Sequence, residues 1–482
     1  MNSIRQQINT LRMAAVALTM LALVFAGVVR PVQAQTFTLL YSFQGPNENE
    51  GAYPLGLVQG TDGNLYGVTE AGGDNGGDDD SGIFFKVSTS GNLKTLCAFY
   101  FKSCAGAQAP SANLILGTNG DFYGVDLNGE NIRMTPTGKL KVLYTNSNAI
   151  PQASLVLASN GDFYGVTVNG GTNSEGSVFK MTAAGKLTTL YSFCSVIQNS
   201  TCLDGAQPRF ALIQGSDGNL YGTTSVGGND GVNDGYGTIF KITPTGTLTT
   251  IYNFPGYTQS SSALIQGADG NFYGTTADGG SGAYGPGGIF FTVTSGGDLT
   301  PLYNFCNQQN CADGQQPANI YLATDGNFYG ITWQGGVNNN DQGTIFQITP
   351  SGTLTTLHNF DGTDGSGPNG GGMLMQDTNG TFYGTMLESL STGDGTIFSL
   401  DTGLGPFVET LPTSGKVKAA VKILGTDLTG ATSVTFNGTA ATFTVVSSSE
   451  ITTNVPVGAS TGKVQVVTPN GTLTSNVVFQ VP

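Results

Sequence analysis

The chain has 482 residues and a formal charge of −15, with 73 glycines, one histidine and only 10% charged residues. That length is enough for two or three domains, and the acidic balance repels nucleic acid and anionic membrane surfaces and so speaks against them as partners. A single histidine leaves Ser-His-Asp catalysis, Cys-His catalysis and histidine metal sites almost without material.

The first segment has the build of an export signal. Arg5 and Arg12 precede an apolar run from Met13 to Val29, and Val32-Gln33-Ala34 is a cleavage site ahead of Gln35. The rival reading, an uncleaved anchor, meets a run that is short for a comfortable span. Removing residues 1–34 takes away three arginines and no acids, which leaves −18. No cysteine follows the apolar run and no second apolar span appears. The expectation is a secreted, periplasmic or cell-surface monomer with no stable membrane span in the mature chain.

The remainder is organised by Asp217-Gly218-Asn219-Leu220-Tyr221-Gly222. Six further copies end at Tyr66-Gly67, Tyr123-Gly124, Tyr164-Gly165, Tyr273-Gly274, Tyr329-Gly330 and Tyr383-Gly384, with successive tyrosines 57, 41, 57, 52, 56 and 54 residues apart. A period of about fifty marks a stacked or circular array. Residues 210–254 serve as the unit: strand a over 210–214, a tight turn at Asp217-Gly218, strand b over 220–225, strand c over 238–242, a turn at Pro244-Thr245-Gly246, and strand d over 248–254. Four antiparallel strands per unit match a propeller blade; a β-helix coil is shorter, and solenoids of this period are mostly helical. The seventh unit lacks strand d, whereas an orphan strand d, Phe37 to Phe43, follows the leader and matches Leu354 to Phe360. The chain is therefore expected to be all-β, with a seven-bladed β-propeller over 35–403 closed by its N-terminal strand, an arrangement that removes two exposed sheet edges. From 404 to 482 the composition changes to short strands typical of an immunoglobulin-like β-sandwich, and the short linker holds the two domains close together.

Strand parity sends the a–b and c–d turns to one face and the b–c and d–a loops to the other. The second face carries the long loops, the acidic tracts and the cysteines. Cys97 with Cys104, Cys194 with Cys202 and Cys306 with Cys311 form local pairs that read as disulfides in an exported chain. Cys194 and Cys306 follow the repeat phenylalanine, but Cys97 lies two residues before Phe99, a shift that changes its strand face. Blade two turns tightly at Leu127-Asn128-Gly129-Glu130 and is expected to leave a notch in this rim.

Candidate site residues lie on the loop face. Asp78, Asp79 and Asp80, with Asp230, Asp234 and Asp341, are the carboxylates available for acid–base work, although all sit in Gly- and Asn-rich loops where solvated turn residues are the plain alternative. The Asp78–Asp80 run also offers oxygen ligands for Ca²⁺, without matching the twelve-residue calcium loop. Trp333, Tyr236 and Tyr284 depart from the packing aromatics and could stack on sugars or partner side chains. His358 replaces the strand d tyrosine and reads as a packing substitution. Gly280 to Gly285 fits G-x-G-x-x-G, but no helix follows, so it reads as a loop.

These motifs, with Gly-Thr-Ile-Phe-Lys-Ile at 237–242 and Asp204-Gly205-Ala206-Gln207-Pro208, resemble the GloVer tandem repeat of exported bacterial proteins over residues 36–403. The resemblance implies a choice of C-terminal surface anchors, and none is evident here. Pro412-Thr413-Ser414-Gly415 and Gly425-Thr426-Asp427-Leu428 are similar to IPT/TIG domains, which are immunoglobulin-like. Neither resemblance implies a reaction. The expected function is a non-catalytic propeller presenting its loop face to a glycan or an extracellular protein. The rivals are a carboxylate-dependent polysaccharide hydrolase or lyase, and a structural envelope or matrix protein.

Overall fold

A computed structural model describes residues 35–45, 51–73, 82–99, 104, 107–108, 110–145, 153–229, 235–256, 260, 262–337, 341–366, 373–388 and 393–482. In the unit at 210–254 the strands are Ile213–Gln214, Leu220–Thr223, Thr238–Ile242 and Leu248–Asn253, paired antiparallel in that order. Three of them agree with expectation to within two residues. Strand a is shorter, since only Ile213 and Gln214 pair with strand b and Phe210–Leu212 join no ladder.

Seven such four-stranded sheets occur among the described residues. Their innermost strands are Ala52–Gln59, Ile115–Leu116, Val156–Leu157, Ile213–Gln214, Ile265–Gln266, Gln315–Leu322 and Met373–Gln376. The seventh sheet adds Phe382–Met386 and Thr396–Asp401, and its outermost strand is Thr36–Ser42 from the other end of the chain. Phe37 stands opposite Leu400 and Ser42 opposite Thr396. The pairing expected of the orphan strand is present. Gln309–Cys311, a single 3₁₀ turn, is the one helical element among the described residues.

The sheets are joined by their aromatic faces. Among the described residues, seven buried clusters each bridge two consecutive sheets. In one, Tyr221, Ile239 and Phe254 of the fourth sheet pack against Leu264, Phe272 and Phe291 of the fifth. In another, Phe43, Tyr383 and Ile397 of the seventh pack against Leu65, Ile83 and Phe85 of the first. Each fully buried ring contributes about 1.5–3 kcal/mol relative to exposure. A polar clamp repeats beside this packing. The inner-strand glutamine accepts a backbone N–H from the preceding sheet's turn: Ser159 N to Gln214 Oε1 at 2.8 Å, Ser216 N to Gln266 Oε1 at 2.8 Å and Thr324 N to Gln376 Oε1 at 3.1 Å. The same bond joins the seventh sheet to the first, from Thr378 N to Gln59 Oε1 at 3.2 Å.

Beyond the seventh sheet two further four-stranded sheets face each other. One is ordered Val408–Leu411, Ala420–Gly425, Glu450–Asn454, Phe443–Val445; the other Thr439–Ala440, Ser433–Phe436, Val464–Thr468, Gly471–Thr474. Alternating inward residues, among them Val421, Ile423, Phe436, Ile451, Val464 and Val466, form their shared core. Residues 477–479, apolar like the strands before them, make only an isolated bridge, from Phe479 to Gly462. This unit stands on the a–b turns of the repeats. Ser449 Oγ donates to Thr61 O at 2.8 Å, Phe407 N donates to Thr378 O at 3.0 Å, and Ser414 Oγ donates to Ser159 O at 3.4 Å. Leu424 enters the buried cluster shared by the first and second sheets.

Candidate functional site

The acidic residues of the repeat motif brace the turns. Asp217 Oδ2 accepts Nδ2 of Asn219 at 2.8 Å, the Tyr221 hydroxyl at 2.9 Å and Nζ of Lys241 at 2.8 Å, while Oδ1 takes the Asn219 backbone N–H at 3.1 Å. Burial pushes this carboxyl up, but Lys241, Asn219 and Tyr221 outweigh it and hold the group at about 2. Asp62, Asp269 and Asp325 repeat the arrangement with their own asparagine and tyrosine. Gly222 closes the motif because a Cβ there would meet the Phe240 ring and Leu212 at 2.7 Å.

A second set of acids braces the d–a loops. Asp204 accepts the Tyr191 hydroxyl at 2.7 Å together with the N–H groups of Ser195 and Val196; Asp313 accepts the Tyr303 hydroxyl at 2.7 Å together with those of Asn307 and Gln308. His358 takes the tyrosine position in the sixth sheet, with Nε2 2.7 Å from Asp364 Oδ2 and its ring stacked 3.8 Å from Phe37. Its role as a packing substitution is therefore visible in its partners. All three disulfides are formed. Cys97 lies opposite Phe84 in the register position where Tyr191 lies opposite Val178, so it occupies the tyrosine site, and its bridge to Cys104 is buried in the core. That substitution is the physical origin of the shift noted in the sequence. Loops this short gain about 2.5 kcal/mol from cross-linking in the chain-entropy account.

The loop-face candidates do not converge. Tyr236 packs on the cluster between the fourth and fifth sheets. Tyr284 is 58% exposed, in the b–c loop of the fifth sheet. Trp333 is the penultimate residue of strand b of the sixth sheet, half-buried, with an indole N–H that is buried and unpartnered. Asp341 lies in the following loop, where Oδ1 accepts the Gly335 N–H at 2.5 Å, a turn-bracing role. Asp78, Asp79, Asp80, Asp230 and Asp234 lie outside the described residues, as does the leader at 1–34. Among the described residues no three His, Cys, Asp or Glu side chains come together as a metal set, and no helix is long and apolar enough to cross a membrane. The second sheet's tight turn is held by Asp126, whose Oδ1 accepts the Glu130 N–H at 2.7 Å, the role of the Thr224 hydroxyl toward Thr238 in the fourth sheet. Burial raises Asp126 to about 6, with Glu130 nearby adding to the rise.

Two features escaped the sequence reading. The first is a set of exposed alkyl groups on the same face: Val196 and Ile197 beside the Cys194–Cys202 bridge, and Val337 beyond Trp333, which are 51%, 62% and 63% exposed. The second is a cavity of about 380 Å³ between the innermost strands and the sandwich unit. Leu57, Leu114, Met373 and Leu374 from the repeats and Leu411 and Leu424 from the sandwich form its apolar walls. Tyr321, Glu409 and Thr410 also line it. Glu409 Oε1 accepts Nδ2 of Asn476 at 2.9 Å, and the Thr410 hydroxyl is buried without a partner. Enclosure first, then the charge of Asp377, pushes the Glu409 carboxyl up to about 7; burial raises Asp377 itself to about 6. The repeat alignment carried a signal for part of this. Asp377 stands where the other six units have Gly or Ala, and Tyr321 where they have Val, Ile or Met. A wider crevice of about 970 Å³ between Ser159–Gly161 and the sandwich holds Lys416 and Lys422, the latter paired with Glu450.

A sheet-repeat body with a sandwich seated on its turns defines an all-β tandem-repeat protein with an Ig-like module. Comparison with family models places the particular family: the Gloeobacter/Verrucomicrobia repeat matches three times, over 26–228, 126–285 and 194–398, and the IPT/TIG domain matches 407–481. The chain belongs to the Gloeobacter/Verrucomicrobia repeat family and carries a C-terminal IPT/TIG domain. No curated protein matches it. Among solved structures it is similar to a streptogramin B lyase, at 16% identity and a TM-score of 0.51, over 76% of this chain and 97% of that one. It is also similar to a protein of unknown function from Dyadobacter fermentans, at 10% identity and a TM-score of 0.41, over 77% of this chain and 99% of that one. At such identities the likeness concerns the fold alone.

Proposed function

We propose that the seven sheets are the blades of a closed β-propeller over 35–403, that the sandwich of 404–482 is fixed on its turn face, and that this exported protein binds a glycan or an extracellular protein through its loop face without catalysing a reaction. The three disulfides and the leader at 1–34 support export. The observation that carries the binding reading is where the apolar surface lies. Of the large apolar side chains exposed among the described residues of the repeats, Leu127, Val196, Ile197, Tyr284 and Val337 stand in b–c or d–a loops, and the others, Leu39 and Tyr144, on outermost strands. The turn face is the one the sandwich occupies. Rings and alkyl groups on loops held by disulfides and aspartate braces lose little freedom when a partner covers them. Most described acids of the repeats are already engaged as backbone braces, which supports binding over acid–base chemistry.

The test is retention of the mature protein on panels of bacterial and plant polysaccharides and on surface extracts. Retention by one class, reduced at least tenfold by Ile197→Asp with Tyr284→Ala, is the expected result. No retention across both panels overturns the reading. Release of sugar products, abolished by Asp79→Asn, would establish the hydrolase or lyase reading in its place. A calcium site at Asp78–Asp80 predicts a lower melting temperature in chelator.

A further inference from the structure

We propose that Lys463 and Asn476 of the sandwich become joined by an intramolecular amide bond, formed by the chain itself with loss of ammonia and with Glu409 as the acid–base group. The site is separate from the loop face, and its experiment fails or succeeds independently of the polysaccharide panels.

Strand pairing brings the three side chains together. Gln465 stands opposite Thr474, and Ser475 N donates to Val464 O at 2.8 Å. The same register carried one step further sets Lys463 opposite Asn476. Directly opposed residues share a face of the sheet, with Cβ atoms about 4.5–5.5 Å apart. Lys463 Nζ donates to Asn476 O at 2.6 Å and to Ser475 O at 3.0 Å. On the other side Val408 bridges to Ser475, and Asn476 N donates to Val408 O at 3.2 Å, which sets Glu409 beside Asn476. Glu409 Oε1 accepts Nδ2 of Asn476 at 2.9 Å, and Asn476 Oδ1 accepts the Val477 N–H at 2.9 Å. The carboxamide is therefore oriented at both ends, its nitrogen on a carboxyl group and its oxygen on a backbone donor, with an amine against its own main chain.

Each part suits acyl transfer. A lysine attacks only as the neutral amine, which desolvation favours. Burial lowers the Lys463 amine, and Lys463 makes no ion pair among the described residues. Enclosure, then Asp377, push the Glu409 carboxyl up to about 7, which keeps its acid form available near neutral pH. The Val477 N–H already points at the oxygen on which negative charge gathers. Nζ attacks Cγ of Asn476, and the Nζ–Cγ bond forms as the carbonyl electron pair moves onto Oδ1. Once bonded, Nζ stands beside Nδ2, within reach of the same carboxyl group. Glu409 protonates Nδ2 and takes a proton back from Nζ. The Cγ–Nδ2 bond then breaks, the carbonyl re-forms and ammonia leaves. One amine and one carboxamide give one secondary amide and one ammonia, with no oxidant or further reactant.

The sandwich contains no cysteine, and all three disulfides lie in the repeats. The amide supplies the cross-link it otherwise lacks, closing a loop between residues 13 positions apart and restricting the unfolded chain as a disulfide does. Stabilities of Glu409 variants are therefore compared in a Lys463→Arg background, in which no link forms.

Tandem mass spectrometry of the full mature chain, denatured and digested with protease, tests this. The expected result is a branched peptide in which Lys463 Nζ is joined to Asn476 Cγ, lighter by one ammonia than its two components. Lys463→Arg should abolish it and lower the melting temperature. Glu409→Gln should fold, as judged by circular dichroism, and yield at least tenfold less of the linked peptide. Should Glu409→Gln fail to fold, Glu409→Asp, which draws the carboxyl group back by one methylene, should slow the appearance of the link at least tenfold in freshly made protein. Separate Lys463 and Asn476 peptides from the wild type overturn the proposal. So does loss of ammonia without the linked peptide, since cyclisation of a terminal glutamine or of an asparagine gives the same change in mass. A link that forms unchanged in Glu409→Gln or Glu409→Asp overturns it as well.

Discussion

Asp217 makes one carboxylate serve as the acceptor for an asparagine, a tyrosine and a lysine from two strands. Its low proton affinity means that the folded state gains stability from the ionised form. That contribution is present above the ordinary carboxylate range near 3.8 and is lost as pH falls toward about 2. Asp217→Asn is expected to cost about 1 kcal/mol in urea unfolding at pH 7, a modest figure because the group is partly exposed and screened. The cost should shrink at pH 2.5. His358 supplies a second test. Its partner Asp364 is the counterpart of Asp204 and Asp313, which take a tyrosine hydroxyl. His358→Tyr should leave the melting temperature within a few degrees of wild type, whereas His358→Ala, which also removes the ring stacked on Phe37, should lower stability by about 2 kcal/mol.

Among the elements, Thr36–Ser42 has the largest consequence for its size. It covers the edge of Thr396–Asp401, and Phe37 and Phe43 join the clusters on either side of the seventh sheet. The fully buried Phe43 ring is worth about 1.5–3 kcal/mol and the partly buried Phe37 ring adds to it, and a bare strand edge invites pairing with other chains. A mature chain that starts at Gln44 is expected to elute as aggregates in size-exclusion chromatography and to melt well below the full mature chain. Elution as a monomer with an unchanged melting temperature would show that the first strand is dispensable. The strand was legible in the sequence because Phe37-Thr38-Leu39-Leu40-Tyr41-Ser42-Phe43 repeats the pattern of Leu354 to Phe360 while the seventh unit lacks that piece. The short inner strands were not legible, since Phe210–Leu212 are as apolar as the paired Ile213 beside them and only their position in the sheet distinguishes them.

At the scale of the molecule, the sandwich and the repeats share an acidic seam. Glu409 at about 7 and Asp377 at about 6 hold protons in the folded protein that the unfolded chain would release near pH 4. Their contribution to stability is fully present below the ordinary carboxylate range and is lost as pH rises through about 7. Urea unfolding should therefore show stability falling between pH 4.5 and pH 8 by on the order of a few kcal/mol. Glu409→Gln should flatten the profile and stabilise the protein at pH 8. A profile identical in the variant and the wild type would mean that the seam does not titrate in this range.

The sequence by itself determined the repeats, the order of the strands within each unit, the disulfide partners and the all-β class, because each depends on residues close together in the chain: a turn, an alternation, a pair of cysteines a few residues apart. Tertiary structure alone decided where the sandwich docks, and with it the enclosure of Glu409 beside Asp377 and Tyr321. Those residues are 32 and 88 positions from Glu409 in the chain, and burial is a property of everything packed around a group, which no local pattern of residues encodes.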